Sequence, residues 1–130
     1  MTLMDIIEKY EGFSGVSYKD HLGYDTIGFG TKLPISKEEA MLLAKLRLDA
    51  KIMKLHRRLH WLKDQPDEVQ EILYEMAYQM GVTGLLKFKK TIAFIEDEEY
   101  FLASSEMLHS VWAEQTPERA NRLAERMRGV

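Results

Sequence analysis

The stretch 11–30, EGFSGVSYKDHLGYDTIGFG, decides how the rest of this 130-residue chain is read. Just before it, Leu3, Ile6, Ile7 and Tyr10 recur at helical spacing, and Thr2 is placed to cap that helix three residues ahead of Asp5. Gly12 offers a left-handed C-cap, so the helix stops there and leaves Glu11 on its last turn. Val16–Tyr18 and Tyr24–Phe29 have β-forming composition, with His21-Leu22-Gly23 as the turn between them. Gly28 and Gly30 within a strand pattern predict close approach of backbone or ligand. Two carboxyl groups, Glu11 and Asp20, and the hydroxyl of Thr26 therefore gather around one tight turn.

Outward from this stretch the pattern turns helical. Ser36 with Glu39 makes a capping box, and Leu43, Leu46, Ala50 and Met53 predict the buried stripe of a long helix. That helix frays near Leu59-His60-Trp61. Pro66 opens the next, whose Val69, Ile72, Leu73, Met76, Ala77 and Met80 form the most continuous apolar face in the chain and predict its central core helix. Gly81 and Gly84 bracket a break. Helical patterns return over 91–95 and 98–111, and Thr116-Pro117 begins a last helix carrying Ala120, Leu123, Ala124 and Met127. The expected fold is α+β and predominantly helical, a small N-terminal β hairpin with five or six helices.

Composition excludes several classes. Hydrophobic residues at 45% and charged residues at 30% argue against disorder. Without cysteine, neither disulfides nor thiolate metal sites are available. The N-terminus lacks a positive n-region, so it does not read as a signal peptide, and no apolar run is long enough for membrane insertion. A net charge of −3 offers no global attraction to nucleic acid. The four arginines at 119, 122, 126 and 128 read first as a solvated helix face. His56 and His60 share a helical face but lack a third ligand, so no metal is expected. No cofactor is expected, and the stretch Ile27–Gly30 lacks the lysine of a phosphate loop.

Taken alone, each of the three site residues has an ordinary reading. Glu11 is a helix-end glutamate, although the negative end of the helix dipole disfavours its ionised form, which suits a proton donor. Asp20 is either the partner carboxylate of a glycosidase pair or a turn aspartate bonded to its own backbone. Thr26 orients a water or simply occupies a strand. Asp25 competes with Asp20 but points to the opposite strand face from Thr26.

Three blocks, in order, resemble the phage lysozymes, the muramidase type of endolysin. They are Glu11-Gly12 with Tyr18-Lys19-Asp20 and Gly23–Gly30; Tyr78-Gln79-Met80-Gly81-Val82-Thr83-Gly84, reaching to Phe88; and Trp112–Ala120. The resemblance implies a single lysozyme-like domain over 1–130: a β lobe at about 13–33, a connecting helix at 34–60, and a helical lobe of 61–130 plus 1–12, with an active-site cleft between the lobes. It implies hydrolysis of the β-1,4 bond between N-acetylmuramic acid and N-acetylglucosamine, with inversion.

In that role Glu11 is the general acid, Asp20 the base or electrostatic partner, and Thr26 the residue positioning water. Gly28, Gly30, Tyr78, Gln79, Met80 and Gly81 support the substrate, and Arg119 reaches back to Glu11. The resemblance further implies a monomer acting on bacterial peptidoglycan. It would be made in host cytoplasm and reach the wall through a holin lesion, lysing the host for phage release. The alternative is a catalytically weak peptidoglycan-binding or virion structural module on the same fold. Thr31 stands where relatives often carry histidine, and Asp25 adds negative charge that is expected to raise the pKa of Asp20.

Overall fold

The computed structural model describes all 130 residues. Seven α-helices and a three-stranded antiparallel sheet follow one another as α1 (Leu3–Glu11), β1 (Ser14–Lys19), β2 (Asp25–Gly28), β3 (Thr31–Lys32), α2 (Lys37–Arg58), α3 (Asp67–Leu86), α4 (Lys89–Glu96), α5 (Tyr100–Leu108), α6 (Val111–Gln115) and α7 (Pro117–Arg128). A 3₁₀ turn, Leu62–Asp64, lies between α2 and α3. The α+β, mostly helical architecture is the expected one. None of the helices is long and apolar enough to cross a membrane. The chain divides into two compact units, Met1–Leu43 and Ala44–Val130, the boundary falling inside α2.

The first unit is built by local rules. The Thr2 hydroxyl accepts from the Asp5 amide at 3.1 Å while the Asp5 carboxylate accepts from the Thr2 amide at 2.8 Å, a reciprocal cap that fixes where α1 begins. The same device starts α2 at Ser36 and Glu39. The sheet order is β1-β2-β3. The expected two-stranded hairpin gains its third strand because Gly28 (φ +68°) and Gly30 (φ +74°) reverse the chain around Phe29. The apolar stripe of α1 buries none of its residues. Thr26 is the one buried residue of this unit.

The second unit holds the core. Val69, Ile72, Leu73, Met76 and Ala77 of α3 are fully buried, joined by Leu55, Ile95, Met107, Leu123 and Met127 from other elements. Each such aliphatic side chain contributes about 1.5–3 kcal/mol relative to exposure. Inside α3, Gly81 (φ 80°, ψ 158°) breaks the helical path as the glycine pair predicts. Pro117 stands at N1 of α7, but the Thr116 hydroxyl donates to the Trp112 carbonyl at 2.9 Å and does not cap that helix.

The stripe expected along α2 is corrected. Leu43, Leu46 and Met53 are 42%, 68% and 58% exposed, and Leu55 is the helix's one buried residue. Periodicity gave the helix its face but did not say what meets that face. The contrast is testable by urea unfolding. Leu73→Ala should cost about 2–5 kcal/mol by leaving a core cavity, whereas Leu46→Ala should cost under about 0.5 kcal/mol.

Candidate active site

β2 is the central strand, so its residues have neighbours on both sides. Thr26 pairs with Tyr18 of β1 and with Lys32 of β3. Directly opposed residues project to one face, which makes Tyr18, Thr26 and Lys32 a single row across the sheet. Thr26 is fully buried within that row. Its hydroxyl donates to the Tyr24 carbonyl at 2.8 Å, leaving its lone pairs as the remaining bonding capacity.

Asp20 follows β1 directly. Its Oδ1 accepts from the Leu22 and Tyr24 amides at 2.9 and 2.8 Å, so this oxygen makes the turn contact foreseen for an aspartate before Gly23. Its Oδ2 accepts from the Lys32 ammonium at 2.5 Å, and only 8% of the Asp20 side chain remains exposed. The Lys32 hydrogen bond is the largest cause holding the Asp20 pKa at about 2, with the Tyr24 amide next and burial opposing both. The rise expected from Asp25 is therefore corrected. Asp25 turns away and pairs with Lys19 at 2.7 Å on the exposed surface.

Glu11 ends α1 and is brought to the sheet by Gly30. A Cβ on Gly30 would lie 2.7 Å from the Glu11 carboxyl carbon, so only glycine admits the acid there. An open depression of about 250 Å³ is lined by Glu11, Gly12, Phe13, Ser14 and Tyr18. Lys32 connects the two acids electrostatically: its pKa is raised chiefly by the Asp20 hydrogen bond, with smaller contributions from Glu11 and Tyr18. Glu11, Asp20, Thr26, Gly28 and Gly30 thus all lie in the first unit. Chemically, that unit offers a carboxyl group against Gly30, a clamped carboxylate and a covered hydroxyl.

The other expected residues lie in the second unit. Tyr78 is 41% exposed, with the Lys51 ammonium 5.3 Å from its ring centroid. Gln79 accepts from the Trp112 indole at 2.9 Å. Met80 is half-buried against the core, immediately before the break at Gly81. Arg119 donates to Glu75 at 2.8 Å, and Arg122 donates to the same oxygen. Burial pushes the Glu75 pKa up, but the two guanidinium hydrogen bonds outweigh it and the net shift is downward. Gln79, Thr116, Pro117, Arg119 and Arg122 border an open depression of about 700 Å³.

Two participants escaped the sequence reading. Lys32 had one available signal, a lysine two residues past Gly30, but its meaning needs the β2–β3 register. Glu75 stands on the same helix face as Glu68 and Glu71, and that acidic stripe, with the arginine-rich last helix, was the signal.

The clamp on Asp20 sets an acid dependence. Its folded pKa of about 2 lies below the ordinary 3.8, so its contribution to stability is present above pH 3.8 and is lost as pH falls toward 2. The difference in urea midpoint between the wild type and Lys32→Met should hold constant from neutral pH to about pH 5. It should then shrink between pH 3.8 and about 2.

No family model matches the chain. Among curated proteins it is similar to one named probable T4-type lysozyme 1 from Dictyostelium discoideum, 28% identical over 154 aligned positions that cover 94% of this chain and 91% of that protein. The alignment is longer than this chain, so it carries gaps where the relative has additional residues. A second protein, probable T4-type lysozyme 2 from the same organism, is 41% identical over 51 residues, 39% of this chain and 30% of that protein. Similarity along nearly the whole chain, the α+β fold and the three sequence blocks agree in what this chain is similar to: proteins named T4-type lysozymes.

Proposed function

We propose that the protein is a glycoside hydrolase of the lysozyme type that cleaves the β-1,4 bond between N-acetylmuramic acid and N-acetylglucosamine in bacterial peptidoglycan. The observation that carries this reading is that one glycine-built turn serves both acids: Gly30 lies against the Glu11 carboxyl, and Lys32, two residues on, pairs with Asp20. Two carboxyl groups around one scissile bond are what glycoside hydrolysis requires. Similarity to proteins named T4-type lysozymes supports the same class.

In this reading Glu11 delivers its proton to the glycosidic oxygen as the C–O bond breaks. Water adds to the anomeric carbon and gives up its proton toward Asp20, while Thr26 accepts a hydrogen bond from that water. In this reading water attacks the face opposite the leaving group, and the product is inverted at the anomeric carbon. Gly28 and Gly30 support the glycan beside these groups. No cofactor takes part in this scheme. Release of phage by a monomeric enzyme made in host cytoplasm, reaching the wall after a holin opens the membrane, is the setting drawn from the resemblance. The relatives named above come from Dictyostelium discoideum.

One observation favours the weaker alternative, a wall-binding module with little catalysis: both oxygens of Asp20 are occupied and Thr26 is covered. Release of reducing sugar from purified sacculi separates the two. The proposal expects release by the wild type, falling by about 10²-fold or more in Glu11→Gln. Sacculus binding without release would favour the binding module.

A further inference from the structure

Lys32 does more in this structure than balance a charge. Its ammonium takes the one Asp20 oxygen that the backbone leaves open. Its side chain leaves the sheet beside Thr26, on the face where Thr26 is fully buried. While this pair is closed, the ammonium occupies Asp20 Oδ2, and Lys32 stands next to Thr26 in the cross-strand row. Yet the Lys32 side chain is 54% exposed, so a carboxylate arriving from solvent can reach it. Nearby Lys19 is already committed to Asp25.

We propose that Lys32 determines specificity by latching Asp20, and that a carboxylate carried by the glycan opens the latch by taking the ammonium. The exchange pairs the ammonium with the incoming carboxylate and leaves Asp20 Oδ2 free to accept from water, while the Leu22 and Tyr24 amides still hold Oδ1. Ion pairs with a half-exposed partner exchange readily, which makes the trade feasible. Opening frees Asp20 Oδ2, the group toward which the hydrolytic reading sends the water's proton. The ligand class is a β-1,4 amino-sugar polymer bearing free carboxylates, as on a lactyl ether or a peptide stem. A neutral polymer of the same backbone would leave the latch closed. This inference rests on the hydrolase reading above.

The experiment compares one soluble peptidoglycan oligomer with the same oligomer after amidation of its carboxylates. Wild type should show kcat/KM at least about tenfold higher on the free-carboxylate form, equivalent to about 1.4 kcal/mol. Lys32→Arg keeps a cation and should keep that preference. Lys32→Met should bring the ratio near one and cleave the amidated oligomer faster than wild type does. An unchanged ratio in Lys32→Met would overturn the latch, as would equal loss on both oligomers.

A second readout does not depend on turnover. In Glu11→Gln, the ¹³Cγ resonance of Asp20 should shift when the free-carboxylate oligomer binds and should stay in place with the amidated one. Equal response to both would also overturn the proposal. If wild type cleaves neither oligomer, the hydrolase reading fails, and the Asp20 resonance still decides whether the latch exists.

Discussion

The first unit depends on the carboxylate of Asp20. Hydrophobic burial holds the second unit together, but the first encloses one residue, Thr26, and leaves its large apolar side chains substantially exposed. Its order therefore comes from backbone pairing and from polar contacts that span separate strands. Asp20 accepts two amides from the β1–β2 turn and the ammonium of a β3 lysine, tying the turn to the far strand. Removing one partner from a buried charged contact leaves an unsatisfied group, so the arrangement is maintained as a set.

Glycine geometry does the complementary work. Gly28 and Gly30 reverse the chain so that β3 exists, and that reversal brings Lys32 level with Thr26. The absence of a side chain at Gly30 also admits the Glu11 carboxyl. One turn therefore sets both the acid from α1 and the cation from β3. The helical unit uses a different logic. The apolar face of α3 supplies the core, while two arginines of α7 converge on Glu75 along its polar side.

Features set by local chemistry were legible in the sequence. Both capping boxes, the His21–Gly23 turn, the break at Gly81 and the buried face of α7 follow from residues within a few positions of one another. Legibility stopped where an outcome depended on a distant partner. The α2 stripe was correctly periodic, but Leu46 and Met53 are exposed because periodicity does not name an opposing surface. Asp25 looked like the group that would perturb Asp20, yet strand alternation turned it toward Lys19, and register brought Lys32 to Asp20. Arg119 was singled out, while its partner Glu75, 44 positions earlier, was not.

The site that results is chemically asymmetric. Glu11 has no ion-pair partner within its unit, whereas Asp20 is bound on both oxygens and strongly acidic. This division suits one group that gives a proton and another that stays charged throughout. It also makes access to Asp20, rather than its ionisation, the step to be controlled. The most direct measurement is a ¹³C NMR titration of the Asp20 carboxyl in the unliganded wild-type protein. A clamped Asp20 should titrate near pH 2, whereas a midpoint at or above the ordinary 3.8 would contradict the clamp on which this account rests.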